Sequence, residues 1–194
     1  MIKTLKNARF MPLLGSHLFE SLNDNLIRNI FVFLTAYHIT GGSLYWLIVA
    51  FCLYGGAFLI MAAFSGPFAD KFGRTFVIRR LKLFEIAVTV LAMASAYFES
   101  RLMMLGTLTL MGACTAFDRV IKYAITPELV SEKELLGANA VLKGSTFFMT
   151  ALTSLAFLFW IPEIISLQVL ALSLLVFSIA GYLNTQLITP DTPA

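Results

Sequence analysis

The sequence predicts an all-α integral membrane protein, folded as a six-transmembrane-helix bundle. Of its 194 residues, 59% are hydrophobic and 13% are charged, whereas a soluble domain is about 45–50% hydrophobic and about 25% charged. The mean hydropathy is +0.84, and a soluble domain of this size could not bury so much apolar surface. Apolar runs recur along the chain with short polar connections between them, which indicates one compact bundle without a soluble domain.

Each apolar run is close to the length at which a helix crosses the hydrocarbon core, about 20 residues. Polar residues interrupt the first run, whereas the second is cleanly apolar. Thr126-Pro127 is expected to end the fourth helix, because proline disfavours helix at the residue before it. Ser131 and Glu134 have the spacing of a capping box, which predicts the start of the fifth helix. We predict spans at residues 10–36, 44–65, 83–98, 102–123, 135–160 and 164–188.

The distribution of lysine and arginine predicts that both termini are cytoplasmic. Basic residues precede the first span and fill the connections between spans two and three and between spans four and five. The opposite side has Arg101 alone, and Arg28 lies within the membrane. Cytoplasmic loops are enriched in Lys and Arg, and Trp and Tyr collect at both membrane interfaces. Trp46, Tyr97 and Trp160 fall at the predicted outer ends of spans, in agreement with that orientation.

The first span carries ionisable side chains where lipid makes them costly. Glu20, Asp24 and Arg28 are spaced i, i+4, i+8 and therefore lie on one helix face, with Asn23 and Asn25 beside the middle one. One interpretation is an internal Asp24–Arg28 ion pair that only holds the bundle together. The interpretation we favour is a polar stripe lining a pathway, because intramembrane charges mark such pathways.

The fourth span repeats this acid-then-base spacing with Asp118 and Lys122. The segments 24–28 and 118–122 are similar enough to suggest an internal repeat of three spans, an arrangement common in transporters. A simpler interpretation is that Arg119 and Lys122 snorkel to the cytoplasmic headgroups.

Two further charged residues lie one or two turns inside their spans. Glu85 has Lys82 at i−3, a surface pairing that needs no functional role. Lys143 either snorkels or reaches an acid within the bundle such as Asp118.

The residue content gives no support for an enzyme or a nucleic-acid-binding protein. His17 and His38 lie far apart, and no Ser/His/acid set, phosphate loop or metal-ligand spacing is present. We therefore expect no catalytic residue, no metal and no cofactor. The net charge of +3 is too small to predict nucleic-acid binding.

The connection after the second span reads G-P-F-A-D-K-F-G-R from residue 66 to residue 74. It resembles the signature loop of the major facilitator superfamily, G-x-x-x-D-[RK]-x-G-R, and stands in the place where that family has it. The glycines would permit a tight turn, and the Asp and Arg would bond neighbouring helices. The matching residues are Gly66, Asp70, Lys71, Gly73 and Arg74.

Four further segments resemble one branch of that superfamily, the bacterial lysophospholipid transporters and the related transporter–acyltransferase fusions. They are N-D-N at residues 23–25, R-R-x-K-x-x-E at 79–85, K-Y-x-I-x-P at 122–127 and G-x-N-A at 137–140, which contains Asn139. The likeness extends from about residue 23 to residue 147. The sequence departs from the branch at Lys143, where the branch usually has a glutamate, and at residues 118–120.

The resemblance implies half of a major-facilitator fold, made of two three-helix repeats, in the bacterial inner membrane. It also implies transport of a lysophospholipid or similar amphipathic lipid, with partners among a second transporter half, a second copy of the chain, an acyltransferase and membrane lipid. Alternatives are a small-solute facilitator and a truncated, non-transporting half acting as membrane anchor or partner. The signature loop would act as a conformational latch, with Glu85 and Asn139 as structural polar residues. The expected substrate pathway comprises Glu20, Asn23, Asp24, Asn25, Arg28, Asp118, Lys122 and Lys143.

Overall fold

The computed structural model describes residues 7–33, 44–159 and 167–188, and within them the fold is entirely helical. This confirms the all-α class. Each predicted span overlaps one helix, although α3 begins at Arg74 and not at residue 83. Residues 34–36, 160 and 164–166 of the predicted spans lie outside the described residues. Helix α5 begins directly after Ser131, as the capping-box spacing predicts. The helices are α1 (Met11–Phe33), α2 (Leu44–Phe72), α3 (Arg74–Tyr97), α4 (Arg101–Leu129), α5 (Glu132–Phe159) and α6 (Leu167–Gln186).

Within the described ranges, three helical segments are long and apolar enough to cross a membrane: Leu44–Phe72, Arg101–Leu129 and Glu132–Ala156. Helix α2 turns large apolar side chains outward, with Leu59 72% exposed and Phe64 63% exposed. An extended apolar surface of this kind is rare on soluble monomers. These features are typical of a membrane protein.

Helix α2 continues through most of the segment that we predicted as a loop. The helix includes Gly66 and Pro67 and ends at Phe72, so the only residue between α2 and α3 is Gly73. The loop prediction was wrong for Gly66, because the fixed φ of proline is compatible with a helix and Pro67 removes a single backbone hydrogen bond. Gly73 has φ +85°, a backbone conformation that residues with a Cβ rarely adopt. The turn between α2 and α3 is made at this residue.

Helix α4 also extends beyond its predicted end at Thr126-Pro127 and includes the proline in its last turn. A proline at this position removes one hydrogen bond from a carbonyl near the helix terminus, where unpaired carbonyls are expected in any case. Arg74 donates a hydrogen bond of 2.8 Å to the carbonyl oxygen of Ala124 in the same turn. A side chain from α3 thus helps to satisfy the end of α4.

The main helix pairs follow a repeated pattern along the chain. Helix α2 packs along α4, and α5 packs along α1. Helix α3 packs against α4, α6 packs against α1, and α3 also contacts α6. Exchanging the labels of α1, α2 and α3 with those of α4, α5 and α6 therefore leaves this list of contacting pairs unchanged.

Apolar side chains form two separate core clusters, one toward each end of the bundle. One cluster includes Leu26, Phe31, Val88, Met104 and Met111. The other combines residues 10–14 of α1 with residues 77–78 of α3 and residues 121–129 of α4. Between them, the middle turns of α1, α3 and α4 bury mainly polar and charged side chains. A polar layer therefore lies at mid-height in the bundle.

Hydrogen bonds at one end of the bundle join helix termini that are distant in sequence. The Asn7 side chain donates to the carbonyl oxygen of Leu129 at the end of α4, at 3.2 Å. Arg79, near the start of α3, donates to the carbonyl oxygens of Gln186 and Ile188 at 3.2 and 3.0 Å. The start of α1 and the ends of α4 and α6 therefore share one end, as an alternating up-and-down order of helices requires.

Candidate functional site

The centre of the polar layer is a closed ring of four buried ionisable side chains. Lys82 of α3 and Lys122 of α4 each contact both Glu20 of α1 and Asp118 of α4, with Lys82 Nζ 2.9 Å from an Asp118 carboxylate oxygen. The four side chains are between 1% and 8% exposed. Burying charges is expensive unless each charge is paired, and here every ring member has two partners of opposite sign.

Glu85 adds a third carboxylate to the two in the ring. It lies one turn after Lys82 on α3, with a carboxylate oxygen 2.7 Å from Lys82 Nζ and a side chain that is 15% exposed. The predicted Lys82–Glu85 pair is confirmed, but it is buried in the bundle rather than on the surface. The cluster thus contains two ammonium groups and three carboxylates.

A cavity of about 670 Å³ opens beside this cluster. It is lined by residues on one face of α1 between 17 and 28, by residues of α4 between 115 and 123, by residues of α5 between 142 and 150, and by Tyr54 of α2. Small-molecule sites are typically clefts of about 300–1,000 Å³, so the cavity has the size of a ligand site.

His17 connects the cavity wall on α1 to α5. Its Nε2 lies 3.1 Å from the carbonyl oxygen of Leu142 and 2.8 Å from Oγ1 of Thr146, and its Nδ1 lies 3.4 Å from Lys122 Nζ. An ammonium group can only donate, so Nδ1 accepts and the ring proton belongs on Nε2, from which it can reach the Leu142 carbonyl. His17 is therefore assigned as a neutral imidazole.

The structure brings most of the predicted pathway residues to this one cavity. Those that line it are Glu20, Asp24, Asn25, Arg28, Asp118, Lys122 and Lys143. Asn23 lies elsewhere on α1 and donates to Oγ1 of Thr89 at 2.9 Å, and Thr89 in turn bonds Ser178 of α6 at 2.8 Å. Its placement makes Asn23 part of a buried link between α1, α3 and α6.

Asp24 and Arg28 do not form the internal ion pair that the sequence left open. Asp24 accepts a hydrogen bond of 2.9 Å from Thr115 Oγ1, while Arg28 donates to the side-chain oxygen of Asn25. Both charged groups therefore remain directed at the cavity, each without an oppositely charged partner in the described ranges.

Lys122 does not extend to the surface as the snorkelling interpretation requires. Its side chain is 2% exposed, and its ammonium group contacts Glu20 and Asp118. Arg119 is exposed and lies over the Phe58 ring of α2, 5.2 Å from the ring centroid. Lys143 is exposed on the cavity wall, and within the described ranges it makes no ion pair with Asp118, which the two ring lysines already occupy.

Sequence reasoning missed several residues of the site, among them His17, Tyr54, Lys82 and Thr115. His17 could have been found, because it precedes Glu20 by three residues and Ser21 by four on the same face of α1. Lys82 was counted with the cytoplasmic charges, and its burial depends on how α3 packs. Asn139, predicted as a structural polar residue, has a buried side-chain oxygen without a hydrogen-bond partner among the described residues.

The ligand atoms of His17, Glu20 and Asp118 lie within 4.8 Å of one another, a spacing that could hold a metal ion. The carboxylates of Glu20 and Asp118 already contact the ammonium groups of Lys82 and Lys122. Two fixed positive charges at the same oxygens oppose a further cation, so these residues do not fit a metal site.

The signature segment forms a second polar contact at the end of the bundle. Arg74 bonds Asp70 at 3.0 and 3.1 Å and bonds Glu128 of α4 at 2.8 Å. The hydrogen bond to Asp70 raises the pKa of the Arg74 guanidinium above its ordinary value. Lys71 is exposed beside the Phe72 ring. A single guanidinium thus fastens the end of α2 to the end of α4.

Arg74→Lys is expected to lower the free energy of unfolding by about 1 kcal/mol, because an ammonium group cannot reproduce a planar set of bonds to Asp70, Glu128 and the Ala124 carbonyl. The unfolding midpoint in detergent would measure the change. Arg80→Lys is the matched control, since Arg80 is an exposed arginine of the same helix over the Phe76 ring. Equal midpoints for the two variants would contradict the role given to Arg74.

No protein-family model matches the chain, and comparison with curated proteins and with solved structures finds no significant similarity. The function is therefore inferred from the side chains and their geometry.

Proposed function

We propose that this chain is a six-helix unit of a major-facilitator-type secondary transporter in the bacterial inner membrane, and that it moves a lysophospholipid or a similar amphipathic lipid. The observation that carries the proposal is the cavity of about 670 Å³, lined by ionisable side chains, among helices of membrane length and apolarity. Ionisable groups within a membrane-spanning bundle are expensive and mark substrate pathways.

The helix packing supports a fold made of two three-helix repeats. The pairing of α2 with α4 and of α5 with α1 is what a repeated three-helix unit produces, and so is the pairing of α3 with α4 and of α6 with α1. The similar segments 24–28 and 118–122 occupy α1 and α4, the first helix of each unit. Inverted repeats of this kind place a transporter's binding site at the interface between units.

The Arg74 contact supports a latch in the signature segment. Gly73 is the only residue between α2 and α3, so these helices cannot shift far relative to each other at that end. Arg74 extends this coupling to α4 through Glu128. Release of this one guanidinium would break the contact between the ends of α2 and α4 while their packing along the helices remains, and we propose that this contact opens and closes during alternating access.

The outer surfaces support a partner on the cavity side. Leu136 and Phe147 of α5 are 83% and 74% exposed, and Phe147 is also part of the cavity wall. We propose that a second six-helix unit, either another copy or a separate chain, covers this side during transport.

Uptake of labelled lysophosphatidylethanolamine into proteoliposomes tests the proposed transport. Wild-type protein is expected to exceed protein-free vesicles, and Asp24→Asn is expected to fall to the protein-free level because it removes a cavity charge. Glu132→Gln changes an exposed acid at the start of α5, outside the cavity, and should behave as wild type.

Two outcomes of that experiment would contradict the proposal. Wild-type uptake equal to that of protein-free vesicles would exclude lipid transport by this chain under the conditions used. Uptake of glycerophosphoethanolamine, which has the headgroup without the acyl chain, at the same rate would instead indicate a small-solute facilitator.

A further inference from the structure

Helix α3 has five charged side chains, and four of them bond other groups of the protein. Arg74 and Arg79 donate to carbonyl oxygens at the ends of α4 and α6, and Lys82 pairs with Glu85 in the buried cluster. Arg80 differs from these four, because it is exposed and has neither an acidic partner nor a hydrogen-bond acceptor among the described residues. The five N–H donors of its guanidinium are therefore available to a ligand.

The face of α3 that carries Arg80 is otherwise apolar. Between the start of the helix and residue 96, the exposed residues have the spacing of a single helix face, and they are Phe76, Arg80, Leu83, Phe84, Ala87 and Val90. Phe76 and Phe84, one turn to either side of Arg80, are 54% and 50% exposed. On a membrane-spanning bundle this face contacts acyl chains, and a charge on it is costly unless an anion accompanies it.

The position of Arg80 along α3 matches the level of lipid headgroups. Arg74 begins α3 at the end of the bundle where α4 ends, and Arg80 follows six residues later, about 9 Å along the axis. Side chains on a helix lean toward its N-terminus, and the guanidinium of Arg80 lies over the Phe76 ring, 5.3 Å from its centroid. The charge is thus directed back along α3 toward the headgroup layer, which is about 5–7 Å thick on each side of a bilayer.

The surroundings of Arg80 favour a ligand with net negative charge. Residues 71–82 contain five basic side chains and no acidic one. Asp70, which precedes them, already accepts two hydrogen bonds from Arg74, and Lys71 is exposed. An ammonium group of a zwitterionic headgroup would be repelled by this surplus of cations, whereas a headgroup with only negative charge would be attracted.

We propose that this exposed face of α3 is a binding site for an anionic phospholipid, with the lipid phosphate on Arg80 and an acyl chain along Leu83, Phe84 and Val90. A guanidinium binds phosphate through parallel N–H bonds, and the Phe76 ring beneath it fixes the plane of those donors. The cavity lining of residues from α1, α2, α4 and α5 includes no described residue of α3. The lipid site is therefore separate from the proposed transport pathway.

Native mass spectrometry of the purified full chain tests this site, with dioleoylphosphatidylglycerol as the anionic probe and dioleoylphosphatidylcholine as a zwitterionic lipid with the same acyl chains. Phosphatidylglycerol is expected to bind at least about fivefold more tightly than phosphatidylcholine. Inorganic phosphate and glycerophosphoglycerol are expected to compete at least about tenfold more weakly than the intact lipid, because neither has an acyl chain to cover the apolar face. Equal competition by either would indicate a site for a free phosphate group instead.

Substitutions of single exposed cations assign the site to Arg80. Arg80→Gln is expected to weaken phosphatidylglycerol binding about tenfold, because a charge-assisted hydrogen bond is lost, and to bring the affinity ratio of the two lipids close to one. Lys133→Gln removes an exposed cation from the start of α5, at the same end of the bundle, and should keep the wild-type ratio. A folding defect would weaken both lipids together, so the ratio reports on the site itself.

The assignment is overturned if wild type binds the two lipids equally, if Arg80→Gln keeps the preference for phosphatidylglycerol, or if Lys133→Gln loses as much of that preference as Arg80→Gln does. The last result would mean that the overall charge of this end of the bundle attracts anionic lipid without a defined site. None of these results bears on transport, which the uptake experiment with Asp24→Asn tests through the cavity.

Discussion

Lys82→Met is expected to lower the free energy of unfolding by about 3–5 kcal/mol, the range found when one partner of a buried ion pair is removed. Lys82 Nζ contacts three carboxylates, those of Glu20, Glu85 and Asp118. Its removal leaves Lys122 as the only ammonium group facing three buried carboxylates in the described cluster. The methionine fills much of the same volume, so the loss reflects charge rather than packing.

A compensating substitution makes this prediction specific. The double variant Lys82→Met with Glu85→Gln removes one charge of each sign and returns the cluster to its original net charge, so it should recover part of the lost stability. Lys71→Met removes an exposed lysine at the end of α2 and should change stability by less than about 0.5 kcal/mol. Equilibrium unfolding in mixed detergent would measure all three variants, and equal midpoints for Lys82→Met and Lys71→Met would disprove the role of the buried ring.

Gly112→Ala is expected to destabilise the bundle by about 1–3 kcal/mol, the usual cost of inserting a methyl group into a tightly packed contact. A Cβ at Gly112 would overlap the backbone carbonyl oxygen of Tyr54, so α2 and α4 would have to move apart. Small residues allow such close approach between helices in membranes. A backbone atom cannot rotate away as a side chain could, and the strain therefore extends to the whole α2–α4 contact.

Gly106→Ala is the matched control, because it lies in the same helix and a Cβ there meets no atom within 4 Å. Alanine is a better helix former than glycine by about 1 kcal/mol, so this variant should be as stable as wild type or slightly more so. Thermal denaturation of both variants in the same detergent would show the difference. A Gly112→Ala protein as stable as Gly106→Ala would contradict the packing of α2 on α4.

The number and order of helices could be predicted because helix-length apolar runs are visible in sequence. The start of α5 was also predictable, since Ser131 and Glu134 have the spacing of a capping box and the helix begins at Glu132. The continuation of α2 to Phe72 was not predictable from Gly66 and Pro67, because both residues are compatible with a helix when the chain beyond them remains helical. The turn depends on the positive φ of Gly73 alone.

Part of the cavity wall was predictable, because residue spacing alone shows which side chains share one face of a helix. The spacing of Glu20, Asp24 and Arg28 puts them on one side of α1 whatever α1 packs against. The burial of Lys82 was not predictable, since it requires α3 to begin at Arg74 and to pack against α4 so that Lys82 meets Asp118. Asn23 was wrongly predicted to line the pathway. Consecutive residues of a helix point in different directions, so Asn23 lies on another face of α1 than Asp24 and bonds Thr89.

The long-range pairing of the charged ring imposes an order on biosynthesis. Glu20 is synthesised first, but its partners Lys82 and Lys122 follow 62 and 102 residues later in the chain. Until then, α1 has a carboxylate with neither water nor a counter-ion if it enters lipid alone, which is costly. If α1 crosses the membrane, we therefore expect it to become stable there only after α3 has been synthesised, because Lys82 is the first residue of the chain that can pair with Glu20 in this ring.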